Sequence, residues 1–278
     1  MTRPLTRPVT GIVIPDLDRV SSVIREVAET DILPYFRQLA EGQVREKTGP
    51  TDLVTVADEA AERALTPRLA GLLPGSVVVG EEAASADPAV LDRLSGDAPV
   101  WVIDPVDGTL NFAAGRPAFA VIVALVQGGR TVAGWIHDPC GRRTAVAAVG
   151  EGAWMDGRRL RVAAPAPLNA MRGAASMWFC PEETGQRIKA GLAGMGGHVS
   201  LLSAAHEYLC LISGETHFSL YHRLMPWDHA AGVLLHTEAG GHSALVDGTP
   251  YRPALTGGSL LMAPDEASWH AVRKQLVG

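Results

Sequence analysis

Cysteines, basic clusters and long apolar runs are all scarce in this 278-residue chain. Cys140, Cys180 and Cys210 are far apart, with no CxxC pair and no Cys/His group at metal-binding spacing. They read as reduced thiols of a cytoplasmic protein, not as a disulfide framework or a zinc site. A formal net charge of −6 and no cluster of Lys and Arg argue against a nucleic-acid partner. The longest apolar run, Ala118 to Val126, is too short to cross a membrane. The stretch Ile12 to Ile14 is no signal-peptide core. An acidic chain that handled an anionic substrate would need cations to draw it in.

Hydrophobic residues make up 47% and charged residues 19%, a composition that can bury a large core. The length is near that at which one core divides in two. Val20, Val23, Ile24 and Val27 recur at helical spacing and predict an amphipathic helix over about 16–39. A polar loop, Glu41 to Thr51, carries Lys47. A second helix is expected over about 55–72, capped at Thr55 by Asp58 or Glu59, with Pro67 kinking or splitting it. Strands are expected at Val77–Val79, Val100–Ile103, Phe119–Val126, Thr131–His137 and Thr144–Val149, followed by a hairpin turning at Asp156-Gly157. A soft boundary falls near Pro165-Ala166-Pro167. Beyond it helices (182–193, 204–212, 227–238, 265–276) alternate with short strands (174–178, 198–201, 217–221, 259–263). Alternation in two halves, 1–164 and 165–278, predicts a layered α/β fold of two subdomains.

The most informative segment runs from Trp101 to Phe112. Asp104 and Asp107 stand at the mouth of an apolar strand and are followed at once by Gly108 and Thr109. Carboxylates there are costly unless a cation or hydrogen bonds compensate them, and a tight turn with exposed N–H groups suits phosphate. Glu81 also ends a short apolar strand, and Asp228 opens a helix. Hard cations such as Mg²⁺ take carboxylate oxygens, and two such ions clamp the attacking and leaving oxygens of a phosphate. Taken singly, each acid has a plainer reading: Asp107-Gly108 as a turn, Asp228 as a first-turn acid, Glu81-Glu82 as a solvated loop.

The joint pattern resembles the inositol monophosphatase family of Mg²⁺-dependent, lithium-sensitive phosphatases. The blocks that carry it are Asp52-Leu53-Val54-Thr55-Val56-Ala57-Asp58, Gly80-Glu81-Glu82, Trp101 to Phe112, and Trp227-Asp228-His229-Ala230-Ala231-Gly232 with Glu238-Ala239-Gly240-Gly241. The resemblance implies an α-β-α-β-α sandwich and a phosphomonoesterase using two to three Mg²⁺. Glu81, Asp104 and the Val106 carbonyl would bind the first ion, which activates the attacking water. Asp104, Asp107 and Asp228 would bind the second, and Glu81 with waters a third. Thr109 would hold the nucleophilic water with Asp58 orienting its hydroxyl. The Gly108 and Thr109 N–H groups would cradle phosphate, and Lys47 matches a mobile basic residue near the metals. A homodimer is the family's common state.

The substrate end departs from the inositol-binding pattern. The region before Trp227 holds no acid and offers Tyr221, His222 and Arg223 instead, with Arg223 suited to a second anionic group by a bidentate contact. Ser203, Ala204, Ala205, His206 and Glu207 would edge the pocket. His206, His222 and His229 show no metal spacing and read as structural or substrate contacts, and Trp178 reads as core. The expected partner is a small phosphorylated metabolite: an inositol phosphate, histidinol phosphate, nucleotide 3′-phosphate or sugar phosphate. A phosphoaspartate route is disfavoured, because its two acids stand two residues apart whereas Asp104 and Asp107 stand three apart. A metal-dependent binding or regulatory protein with the same fold is the alternative, though no expected ligand is missing.

Overall fold

The computed structural model describes residues 12–278. Helix α1 (Leu17–Val27) starts at Asp16, whose side chain accepts from the N–H groups of Asp18 and Arg19. It is shorter than expected. The chain widens into a π-helical turn at Ala28–Ile32 and tightens into a 3₁₀ turn at Leu33–Tyr35, where Pro34 removes the donor that another α-turn needs. The expected polar loop is instead a hairpin of β1 (Val44–Gly49) and β2 (Asp52–Thr55). Helix α2 (Val56–Leu72) runs on through Pro67 as one element, so the helix is not split there. Arg63 and Pro67 both face solvent, so water can serve the carbonyl that Pro67 leaves unbonded while Ala61, Leu65 and Leu69 stay packed.

A seven-stranded sheet follows in chain order: β3 (Val77–Gly80), β4 (Val100–Asp107), β5 (Ala120–Gln127), β6 (Arg130–Asp138), β7 (Arg143–Ala148), β8 (Gly152–Met155) and β9 (Arg158–Arg159). Only the β3–β4 pair is parallel, and helix α3 (Glu81–Ala86) and a 3₁₀ segment, Pro88–Ser95, cross between them. Helix α4 (Thr109–Ala113) links β4 to β5. The β8–β9 turn uses positive φ at Asp156 (49°) and Gly157 (79°), the conformation a two-residue hairpin demands.

The second sheet has five strands: β10 (Arg172–Ala175), β11 (Gly197–Val199), β12 (Phe218–Tyr221), β13 (His242–Leu245) and β14 (Leu260–Ala263), in the order β11-β10-β12-β14-β13. Among them run α5 (Glu182–Leu192), α6 (Ala204–Ile212), α7 (Pro226–Glu238) and α8 (Glu266–Leu276). Strand β13 has no counterpart in the sequence reading.

Strand alternation sorts the core into layers. Trp101, Ile103, Val121, Val123 and Leu125 face α1 and α2 in one cluster. Val100, Val102, Ile122 and Ala124 face α6 and α7 in a second, which Leu260 and Met262 of the other sheet also join. Phe218, Leu220, Leu261 and Ala263 point the opposite way, toward Ile188 of α5 and Trp269, Val272 and Leu276 of α8. The result is helices, sheet, helices, sheet, helices, the expected α-β-α-β-α sandwich. Helix α7 lies flat on the first sheet because Gly134 has no Cβ. A methyl there would stand 2.9 Å from the Ala231 Cα.

Candidate active site

Strand β4 extends past its apolar run to Asp107, and its pairing with β5 slips at the acids: Asp104 lies opposite Ile122, but Asp107 lies opposite Ala120. Three steps on β4 therefore match two on β5, a bulge with Pro105 inside it. In a regular strand, residues three apart point to opposite faces. The extra residue brings Asp107 to the face of Asp104, toward α6 and α7, whereas Val106 packs on the other side. Asp228, in the first turn of α7, completes a trio in which one carboxylate oxygen from each acid lies within 4.8 Å of the others.

Glu81 joins from the side. Gly80 at the end of β3 pairs with Ile103, so Glu81 emerges beside Asp104. Its Oε1 accepts from Lys47 Nζ at 2.8 Å, and the same ammonium donates to Glu82 Oε1 at 2.7 Å. Lys47 is thus a strand residue already engaged, not a loop residue. Burial pulls its pKa down, but Glu81 and Glu82 outweigh that and raise it. A carboxylate that the sequence reading missed holds this corner. Glu62 of α2 accepts from the N–H groups of Glu82 and Ala83, both at 2.8 Å. A Cβ at position 80 would stand 2.2 Å from its carboxyl carbon, so a larger residue there would have to displace that carboxylate. The available signal was the i, i+4 pair Asp58 and Glu62 on an otherwise apolar helix face.

Asp58 is fully buried behind the trio and divides its two oxygens. Oδ2 accepts from the Thr55 N–H at 3.0 Å and the Thr55 hydroxyl at 2.5 Å, closing the start of α2. Oδ1 lies 3.2 Å from the Thr109 hydroxyl, which is also 3.0 Å from the Val106 carbonyl. Gly108 turns the chain at φ 86°, and a Cβ there would meet the Ala118 carbonyl at 2.7 Å. Asp107 is tied to α6: its carboxylate accepts from Ala204 N at 3.1 Å, Ala205 N at 2.9 Å and the Ser203 hydroxyl.

Burial raises the pKa of Asp104 well above the usual carboxylate range, and Glu81, Asp107 and Asp228 add to it. Asp228 rises through burial and then Glu81. Asp107 also rises through burial, against the pull of Ser203 and Ala205. Burial lifts Asp58 to about 7. Acids that repel one another in this way, with hard oxygen donors converging, fit a divalent cation that would relieve the repulsion.

Asp104, Val106, Asp107, Gly108, Thr109 and Asp228 line one cavity of about 430 Å³, as do Glu81, Ser203, Ala204, Tyr221 and Arg223. Lys47 and Asp58 support it from behind. The acid missing from the stretch before Trp227 is supplied from elsewhere: Glu207 of α6 lines the cavity and accepts from the Tyr221 hydroxyl at 2.8 Å. His206 is bonded to the Phe119 carbonyl at 3.2 Å and His222 to the Ser259 hydroxyl at 2.7 Å, so both are structural. Trp178 is not core. With Met177 and Phe179 it forms an exposed wall of the cavity.

A family model, described as the inositol monophosphatase family, matches residues 16–276. The chain belongs to that family. Membership makes it a metal-dependent phosphoric monoester hydrolase. An inositol-1-monophosphatase of Mycobacterium bovis is 37% identical over 213 residues, covering 74% of this chain and 72% of its own. A Thermotoga maritima protein named fructose-1,6-bisphosphatase/inositol-1-monophosphatase is 33% identical over 226 residues, covering 81% and 84%. Among solved structures, an inositol monophosphatase of T. maritima superposes with a TM-score of 0.79 at 28% identity, over 94% of this chain and 97% of that one. Among the described residues, no helix is long and apolar enough to cross a membrane.

Proposed function

We propose that this protein is a Mg²⁺-dependent phosphomonoesterase that hydrolyses a small phosphorylated metabolite by direct in-line attack of water. The observation that carries the reading is the convergence of Asp104, Asp107 and Asp228 in front of the Thr109–Asp58 contact. Two to three divalent ions, held by Glu81, Asp104, Asp107, Asp228 and the Val106 carbonyl, would neutralise the phosphate and raise the acidity of the attacking water. The Thr109 hydroxyl positions that water, and Asp58 fixes the hydroxyl. A hydroxyl alone is a poor base, so its buried carboxylate partner is the reason Thr109 can serve. The Gly108 and Thr109 N–H groups hold phosphate oxygens at the turn. Ser203 and Ala204 keep Asp107 aimed at the cavity, and Tyr221 and Arg223 face the rest of the substrate. Phosphoryl transfer asks for positioning and charge neutralisation more than covalent chemistry, and this constellation is built for both.

The test is phosphate release with Mg²⁺ from inositol phosphates, histidinol phosphate, nucleotide 3′-phosphates and sugar phosphates. Turnover of at least one class, abolished by Asp104→Asn, is expected. No release from any class, with Asp104→Asn indistinguishable from wild type, would leave a metal-dependent binding protein. The family resemblance supports lithium inhibition and a homodimer, and the three widely spaced cysteines support a cytoplasmic location. Light scattering of the purified protein checks the dimer.

A further inference from the structure

Arg223 stands apart from the other charges of the cavity. Among the described residues it is the only Lys or Arg in the lining. None of the ion pairs among those residues includes it, whereas Lys47 is committed to Glu81 and Glu82. Its guanidinium carbon lies 4.9 Å over the centre of the Phe179 ring. Phe179 is itself 67% exposed, so this contact is made at the mouth of the cavity rather than in the core. A ring covering one face of a guanidinium leaves the N–H fork free in the plane, where it can grip a carboxylate or phosphate with two parallel bonds.

The backbone of Arg223 is also held. Its carbonyl can only accept, so the 2.9 Å contact from His229 Nε2 requires the proton on that nitrogen. Nδ1 is then the acceptor for the Tyr208 hydroxyl at 3.1 Å. Tyr208 fits because residue 232 is glycine: a Cβ there would stand 2.4 Å from the phenol ring. Tyr221 packs on His229 with ring centres 4.7 Å apart. The Tyr221 hydroxyl is spent on Glu207, whereas the Tyr208–His229 pair bonds neither Asp104, Asp107, Asp228 nor Thr109 and ends at the Arg223 carbonyl. It thereby places the chain at Arg223, beside Asp228, whose carboxylate feels the Arg223 charge.

We propose that Arg223, braced by Phe179 and by the Tyr208–His229 pair, receives a second anionic group of the substrate, so that the preferred substrates are phosphomonoesters carrying a further carboxylate or phosphate. The proposal rests on the phosphatase reading of the acidic trio. It makes Tyr208 and His229 positioning residues and Arg223 the residue that sets specificity.

Two matched pairs test it: glycerol 3-phosphate against 3-phosphoglycerate, which adds a carboxylate, and adenosine 3′-monophosphate against adenosine 3′,5′-bisphosphate, which adds a phosphate. The readout is the ratio of kcat/KM within each pair at fixed Mg²⁺, for wild type, Arg223→Met, Arg223→Lys and Tyr208→Phe. The wild-type ratio is expected to favour the more charged member of at least one pair. Which pair responds tells carboxylate from phosphate. Arg223→Met should collapse that ratio about 10- to 100-fold, Arg223→Lys should restore part of it, and Tyr208→Phe should lower it through KM with kcat retained. Ratios at or below one in both pairs, or a ratio that Arg223→Met leaves unchanged, overturn the proposal. Thermal stabilisation by the same compounds gives a readout independent of turnover. A charge-dependent shift lost in Arg223→Met without phosphate release would retain the anion receptor and remove the phosphatase reading. Absence of any charge-dependent shift in wild type would remove the receptor.

Discussion

The Thr109 hydroxyl lies 3.2 Å from Oδ1 of Asp58, a carboxylate whose other oxygen closes the first turn of α2. One buried acid therefore ties the start of a core helix to the group expected to hold the attacking water. Motion of α2 would move Thr109's partner, so packing of Ala61, Leu65 and Leu69 contributes to the precision of the site.

Asp58→Asn keeps an acceptor for the Thr55 N–H but removes the charge that holds the Thr109 hydroxyl. We expect kcat to fall about 10- to 100-fold, as for other supporting groups one step behind a metal site, with KM and the melting temperature near wild type. Steady-state kinetics beside a thermal melt check this. An unchanged kcat would detach Asp58 from the reaction.

Asp228→Asn is nearly isosteric and removes one of the mutually repelling carboxylates. Turnover at saturating Mg²⁺ should drop by at least about 100-fold. Without metal the variant should melt above wild type, because the pKa of Asp104 is raised in part by Asp228. Loss of function and gain of metal-free stability in one variant would be the signature of a site whose charge serves catalysis. Unaltered turnover at saturating Mg²⁺ would contradict the shared-metal reading.

Glu62→Ala leaves the N–H groups of Glu82 and Ala83 without their acceptor at the start of α3. The cost is expected at about 1–3 kcal/mol, read from urea denaturation. Because Glu81 begins the same helix, the apparent Mg²⁺ requirement should also rise about 10-fold or more. A stability loss with no change in Mg²⁺ dependence would make Glu62 a purely structural cap.

The sequence reading succeeded where side chains report a single environment. The alternating residues of β4 and β5 carry the two-sided burial that fixes the layer order. The α6 boundaries, Ala204–Ile212, agree with the expectation because Ser203 caps the helix and its accepted bond from His206 N marks the first turn. The β1–β2 hairpin was hidden because β1 is polar and β2 is only four residues long: Lys47 and Thr48 serve the site or solvent, not a core face, so no alternation appears. The four residues of β13 are too few to show a period. The bulge at Pro105 could not be read either. Without it, Asp104 and Asp107 would point apart, and the motif resemblance alone placed them together. Arg223 was named from its residue type, but its stacking on Phe179 and the exposure of Trp178 depend on a loop conformation that has no periodic signal.

His236 gives a stability prediction independent of the site. It is completely buried, bonded through Nδ1 to the Ser243 hydroxyl at 2.8 Å, and burial pushes its pKa down to about 3. In the unfolded chain the ring takes a proton below about pH 6.5, while the native ring stays neutral until about pH 3. The unfolded state therefore binds more protons across that window, and this contribution to stability is complete above pH 6.5 and is lost as pH falls. The slope is about 1.4 kcal/mol per pH unit for one such group. Buried carboxylates with raised pKa values oppose the trend, so the comparison of interest is between variants. His236→Gln keeps a polar partner for Ser243 and cannot titrate. Urea midpoints measured from pH 7 to pH 4 should fall less steeply for His236→Gln than for wild type. Parallel curves would mean that His236 is protonated in the native state well above pH 4.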